Sequence, residues 1–351
     1  MIETGGMEDV LVIGAGIFGL TLARKLRRAG RSVVVAEAGH VGSGASATPL
    51  GVLAPHAPDN WTDVKEAQFH ALVSLPEYLR DLEQETGIGT GYVRCGRLVP
   101  LATAHRRSLW QSRIVDAERN WRGVADLRYL DQPDPDWLSP DAAPFGAMRC
   151  GLTARIDARA YLTALAATLD GTIRCGLALE RLEPGAACFG NGERIAARHI
   201  VLATGAEAFP HLPETEKGDP AGRGEKGQAA LLEAKAEHAD RPLLFHDGTW
   251  VVPRGGRRVA VGATSERAYI DARTTDSLLD ERIDRARALC PALSGAKEIE
   301  RWAAARPRAA NRGLLVGPHP TLPGVSVATG GFKTGLALAH TLDPDRVMAG
   351  T

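Results

Sequence analysis

The stretch EDVLVIGAGIFGLTLARKLRRAGRSVVVAEAG, residues 8–39, decides the fold of this 351-residue chain. Val10–Ile13 form a short apolar run, the pattern of a strand buried on both faces of a parallel sheet. Gly14-Ala15-Gly16-Ile17-Phe18-Gly19 follow as G-x-G-x-x-G. Residues 17–29 then take helical spacing, with Leu20, Ala23, Leu26 and Ala29 on the side to be packed. Val33–Ala36 read as a second strand, which ends in an acid, Glu37.

Each element has a mechanical reason. Gly14 permits a tight turn, Gly16 lets a pyrophosphate approach the backbone, and Gly19 lets the helix pack close to the strand. The helix N-terminus offers free N–H groups and partial positive charge to phosphates. Glu37 stands 23 residues after Gly14, where it can accept hydrogen bonds from a ribose hydroxyl. Strand, turn, helix, strand and acid together predict a dinucleotide site at Gly14–Gly19 and Glu37, without separating NAD from FAD.

Three further features favour FAD. Ala38 leads into GHVGSGASATPLGVLAP, an uncharged small-residue loop in which Gly44, Ala45, Ser46, Gly51 and Val52 suit close passage along a long cofactor. Ile200–Ala203 form an apolar strand before Thr204-Gly205-Ala206, similar to the segment with which FAD enzymes close the cofactor domain beside the dinucleotide. No second G-x-G-x-x-G exists: GIGTGY has Tyr92, and GNGERI has Ile195, where the last glycine belongs. With one such unit, the simplest reading is that an organic substrate itself reduces the flavin.

Lys+Arg and Asp+Glu are each 42, so the formal net charge is zero, and no electrostatic case exists for nucleic acid or an anionic membrane. The partner expected is a small molecule. The five cysteines, Cys95, Cys150, Cys175, Cys188 and Cys290, form no C-x-x-C pair and read as reduced thiols, with no metal site. No apolar run approaches the ~20 residues of a membrane span. The N-terminus is acidic where a signal peptide would be basic, so the cytoplasm is the expected location. Oligomeric state is not legible.

Motifs in order along nearly the whole chain resemble the D-amino-acid-oxidase-type family of FAD-dependent oxidoreductases, the glycine and sarcosine oxidase branch above all. VIGAGIFGL opens the series, and GASATPLGVLAP is similar to the loop that runs past the flavin. GLTARIDARAYLTALAATL, IVLATGA and GEKGQ follow, then WVVPRGGRRVAVGATSE, ARPRAANRGLLVG and GGFKTGLALA. The chain departs from the family at Trp250 (often Tyr), Ala309 (Thr), Asn311 (Asp), Leu314 (Pro) and Gly331 (His). No cysteine lies between Arg306 and Gly317, where sarcosine-oxidase-like members attach FAD, so the resemblance implies non-covalent FAD.

The resemblance implies oxidation of an amine or amino acid by hydride transfer to flavin N5. The imine hydrolyses, and O2 or another acceptor takes the electrons. Arg306 aligns with the arginine that holds a substrate carboxylate, although it stands in an arginine-rich run with Arg301, Arg308 and Arg312. Lys333 aligns with a second basic position, and Trp250 with a pocket wall. His56 follows the flavin loop as a capping or surface histidine. Glu225 and Lys226 read as solvated charges. Gly331, Phe332, Thr334, Gly335 and Leu336 align with the closing loop, where the N–H groups of residues 332–336 and the next helix would face flavin N1 and C2=O. A phosphate loop does not fit there, because Val327 and Phe332 stand where its glycines belong.

The fold class expected is α/β: a Rossmann-like FAD-binding domain with a parallel sheet, plus an α+β substrate domain with a mainly antiparallel sheet. The FAD domain is expected from residues 1–92, 147–210 and 302–351, the substrate domain from 93–146 and 211–301. The Pro-rich 131–146 and the polar 213–227 read as connecting loops, and 276–289 as a solvated amphipathic helix. A dehydrogenase passing electrons to a quinone or protein is the alternative on the same fold. A flavin domain acting on a modified tRNA is a third reading, and a non-catalytic flavin scaffold a fourth.

Overall fold

The computed structural model describes residues 7–349; the acidic N-terminal residues read for a leader lie mostly outside them. The opening stretch folds as β1 (Glu8–Ile13), α1 (Ile17–Arg28) and β2 (Val33–Glu37). Ala29, expected on the packed side, caps the helix end and is exposed, where the chain turns away at Gly30 toward β2. A short strand β3 (Val52–Leu53) precedes the long helix α2 (Asp63–Thr86). Thr62 caps that helix through its side chain, and Gly87, at φ +70°, ends it.

Next come β4 (Arg97–Pro100), α3 (Ala104–Trp121), β5 (Leu127–Leu130), β6 (Ala147–Cys150), β7 (Ala154–Arg155) and α4 (Ala158–Ala167). β8 (Ile173–Cys175), β9 (Leu179–Glu183), β10 (Ala186–Phe189) and β11 (Arg194–Leu202) follow. The chain then forms β12 (Gly222–Glu233), β13 (Leu243–His246), β14 (Thr249–Pro253), β15 (Arg258–Gly262) and α5 (Ser277–Leu289). It closes with β16 (Lys297–Ala309), β17 (Leu315–Pro318), β18 (Val325–Thr329), α6 (Gly335–Leu338) and α7 (Pro344–Met348).

Two sheets organise these elements. The first has the order β17-β18-β11-β1-β2-β8 and is parallel from β18 to β8, with the β9–β10 hairpin appended antiparallel to β11. The second has the order β16-β12-β15-β14-β13-β4-β6-β5, antiparallel except where β13 meets β4. The fold is therefore a Rossmann-like parallel sheet joined to a mainly antiparallel one. In the first sheet β1 has β2 on one side and β11 on the other, so the turn after β1 opens at the point where neighbouring connections diverge. Open parallel sheets bind their ligands at such a point.

Strand pairing moves two of the expected junctions. β6 pairs with β4 and β5, so residues 147–150 stay in the second sheet, and β16 pairs with β12 across residue 302. Two connecting loops also change character. Trp137 and Leu138 in the Pro-rich segment are buried in the core beneath α5, where Trp137 Nε1 donates to the Pro242 carbonyl at 2.8 Å. The polar 213–227 segment turns into β12 at Gly222, because its small alternating residues pair along the whole of β16. α5 is amphipathic as its spacing predicts, burying Leu279, Ile283, Ala286 and Leu289.

Candidate dinucleotide and substrate site

The glycine turn is as tight as its sequence requires. Gly14 sits at φ +109°, and a Cβ there would lie 2.6 Å from the Ala203 carbonyl oxygen. A Cβ on Gly19 would lie 1.9 Å from the Gly14 carbonyl oxygen, so α1 can pack on β1 only through glycine. Glu37 braces the turn: Oε2 accepts from the Ala15 N–H at 2.8 Å, and Oε1 from the Gly39 N–H and the Ser43 hydroxyl at 2.9 Å. The small-residue loop reaches the same place. Ser46, in a single 3-10 turn at Ala45–Ala47 after Gly44, accepts from the Ile17 N–H at 3.0 Å. Ala38 lies in the turn between β2 and that loop.

The second glycine turn closes beside the first. Thr204 Oγ1 is buried without a partner among the described residues, and Gly205, at φ +65°, receives the Thr329 hydroxyl at 2.7 Å. A helix N-terminus, a glycine turn that no Cβ could enter, a buried unpartnered hydroxyl and a braced carboxylate together form a cradle that fits FAD. Gly51 and Val52 continue it. Gly51, at φ +51°, would place a Cβ 1.9 Å from the Ile156 carbonyl oxygen, and Arg254 of the second sheet donates to the carbonyls of Ile156 and Pro49. Arg254 therefore ties the flavin loop to the other sheet.

The closing loop is more folded on itself than its sequence suggested. The Phe332 and Thr334 N–H groups are spent on the Pro307 and Gly331 carbonyls, at 3.1 and 2.8 Å, while those of Lys333, Gly335 and Leu336 have no backbone partner among the described residues. The expected helix is four residues long, since the chain tightens into a 3-10 turn at Ala339–Thr341. Gly331 also gains a reason. A Cβ there would lie 2.8 Å from Phe18 Cζ and 2.9 Å from Gly335 Cα, so the Phe18 ring occupies the place a larger residue would need.

Three cations converge on one ring. Arg308 stands 4.4 Å from the Phe332 centroid, Lys333 at 5.2 Å and Arg306 at 5.6 Å. Phe332 holds its position at φ +41°. Arg306 and Arg308 point to one face of β16 because side chains alternate along a strand. Arg306 lies over Gly227 and donates through Nη2 to the carbonyls of Thr264 and Lys226, at 2.6 and 3.2 Å, while its buried Nε has no partner among the described residues. Burial pushes the Arg306 guanidinium below its ordinary pKa, and Glu225 works against the shift. Partial burial, then Arg306, holds the Lys333 ammonium below its ordinary value too.

Glu225 and Lys226 are not solvated charges: they are 6% and 3% exposed. Glu225 pairs in register with Arg306, receives the Ser265 hydroxyl and lies 3.8 Å from Arg308 Nε. Burial alone would raise the pKa of its carboxyl, but the Ser265 hydrogen bond and the three cations hold it below the usual range. Lys226 points to the opposite face, where Asp276 at 3.1 Å and Glu266 at 3.6 Å neutralise it. Gln228 joins them, donating to Glu266 and Asp276 at 2.9 and 2.8 Å. This network anchors the segment that supplies Thr264 and Ser265.

Trp250 stands on the same sheet face as Arg306, two strands away from β12. It packs on the face that meets Leu50 and Val52, with its ring 4.4 Å from Phe245 and 5.8 Å from the Arg97 guanidinium. An open cavity of about 390 Å³ runs instead from Phe332, Lys333 and Arg308 out to Arg312 and His56. Period-two alternation past Arg306 was the signal for Arg308. Glu225, Gly227 and Ser265 stood inside the family-like GEKGQ and GATSE stretches, but their place beside Arg306 depends on register across distant strands.

The family model described as FAD dependent oxidoreductase matches residues 9–342. Glycine oxidase of Geobacillus kaustophilus is 25% identical over 350 residues, covering 94% of this chain and 89% of that protein. The bifunctional protein ThiO/ThiG of Trichormus variabilis is 28% identical over 346 residues, and this chain spans 51% of its length. The crystal structure of the Geobacillus glycine oxidase superposes with a TM-score of 0.84 at 23% identity, over 98% of this chain and 95% of that one. With the cradle at Gly14–Gly19, Glu37 and Thr204 and a family match over nearly the whole chain, the chain belongs to the DAO family of FAD-dependent oxidoreductases.

Proposed function

We propose that the protein oxidises the C–N bond of an amino acid or amine, with Arg306 and Lys333 holding a substrate carboxylate. The observation that carries this reading is the buried Nε of Arg306, without a partner among the described residues, set beside Lys333 across the Phe332 ring. With Nη2 given to Thr264 and Lys226, the Nε and Nη1 hydrogens are what a carboxylate can take, and a charge-assisted bond to either fixes its place. Glycine oxidases among the relatives support the amine substrate.

The chemistry FAD supplies when bound is acceptance of a hydride at N5 from the carbon bearing nitrogen, with O2 as final acceptor and H2O2 as product. The imine leaves to be hydrolysed by water. An amine bound neutral needs no strong protein base, so the residues' work is orientation and charge. Glu225 offsets part of the cationic charge, and the Phe332 ring shields the guanidinium from water. Non-covalent attachment is supported by Cys290, which lies in the core beneath α5, on the far face of the second sheet from Arg306. Residues 332–336 act at the flavin through the N–H groups of Lys333, Gly335 and Leu336.

Replacing Arg306 with Leu tests the assignment. The R306L protein should keep the flavin absorbance while KM for carboxylate-bearing substrates rises at least about tenfold, ~1.4 kcal/mol. An unchanged KM refutes the role.

A further inference from the structure

The open cavity carries charge that its walls do not neutralise. Arg308, Arg312 and Lys333 line it together with His56, and none of its lining residues is acidic. No ion pair involving Arg312 or Lys333 forms among the described residues, and the contact of Arg308 with Glu225 is long, at 3.8 Å. The depression on the β9–β10 hairpin is a useful contrast. It is equally rich in charge, but there Arg181 and Arg194 share Glu183 at 2.5 and 3.4 Å, and Arg174 takes Glu193 at 2.5 Å. Paired charges form a solvated surface, whereas unpaired cations around a concave, partly apolar wall select an anion.

Geometry places this anion site next to the one assigned above. Arg306 and Arg308 leave the same face of β16 two residues apart, roughly 6.6 Å along the strand. They meet the same Phe332 ring, Arg306 away from the open cavity and Arg308 lining it. We infer that the substrate is a small amino acid carrying a second anionic group: one carboxylate lies on Arg306 and Lys333, and the second group enters the cavity beyond Lys333, between Arg308 and Arg312. This inference rests on the proposed amine oxidation and names its substrate class.

The test compares sarcosine with N-(carboxymethyl)glycine, and alanine with aspartate, in anaerobic flavin reduction by the FAD-loaded protein. The dianionic member of at least one pair is expected to have a kcat/KM at least tenfold higher, and R308Q should collapse that ratio towards one. Calorimetric titration gives a readout independent of turnover: malonate should bind at least tenfold more tightly than acetate, with R308Q removing the difference. Equal efficiency for mono- and dianionic substrates, or a loss in R308Q shared alike by both, overturns the inference and leaves amine oxidation standing. Weaker FAD binding in R308Q, with the dianion ratio intact, overturns it as well, because Arg308 then serves the cofactor. If no amine reduces the flavin, both the inference and the reading beneath it fall.

Discussion

Gly227 and Arg306 are diagonal neighbours on one face of the β12–β16 pair, and a Cβ on Gly227 would lie 2.4 Å from Arg306 Cζ. The guanidinium rests on bare backbone. Its contacts with the carbonyls of Thr264 and Lys226 depend on that close approach.

Gly227→Ala should therefore move the guanidinium without breaking the strand, since the clash is with a flexible side chain rather than backbone. KM for a carboxylate substrate is expected to rise about tenfold while stability changes by less than ~1 kcal/mol. Steady-state kinetics beside thermal melting decide the matter. A large loss of stability with KM unchanged would show Gly227 serving the sheet instead of Arg306.

Much of this arrangement was legible in the sequence, and the rest was hidden for physical reasons. The β1–α1–β2 unit with Glu37 declares itself because each residue acts on neighbours within one supersecondary unit. Lys226 defeats composition-based reading because its neutralising partners, Glu266 and Asp276, lie far along the chain and meet it only after β12 folds against that segment. Gly331 could be seen to depart from the family pattern, but its reason, the Phe18 ring, stands on another element altogether. Trp250 could be read as a pocket wall, but its contact with Phe245 exists only because β13 and β14 align those two residues in register.

Lys333 gives the site a pH dependence with a definite sign. The groups facing it are Arg306, Glu225, Arg308 and Arg282; burial and the arginines lower its pKa, against Glu225. Its charge is consequently lost below the ordinary lysine value of 10.5 as pH rises. KM for an anionic substrate should climb in that range. In Lys333→Arg the climb should move to higher pH, because a guanidinium keeps its charge. An identical inflection in both proteins would assign the titration to another group.

His340 gives stability a pH dependence of its own. The ring is buried between α1 and α2, with Nε2 2.8 Å from Ser74 Oγ, Tyr78 alongside and Nδ1 buried without a hydrogen-bond partner among the described residues. Burial first, then the Lys25 charge, pushes its pKa down to about 4 from 6.5. The folded state thus holds fewer protons than the unfolded state between those values. Stability contributed by the neutral ring is complete above pH 6.5 and is lost as pH falls towards 4, by up to about 3 kcal/mol. His340→Gln should flatten that part of the profile in denaturant titrations; an equally steep profile would assign the protons elsewhere.

The central claim is that a bound flavin is reduced by an amine held at Arg306 and Lys333. Its most direct measurement is the visible spectrum of the purified protein, mixed anaerobically with small amino acids and then opened to air. The oxidised flavin band should bleach with at least one substrate and return rapidly in air with release of H2O2. A flavin that no amino acid or amine bleaches would contradict the account, and a band that returns only with an added quinone or dye would replace O2 with another acceptor.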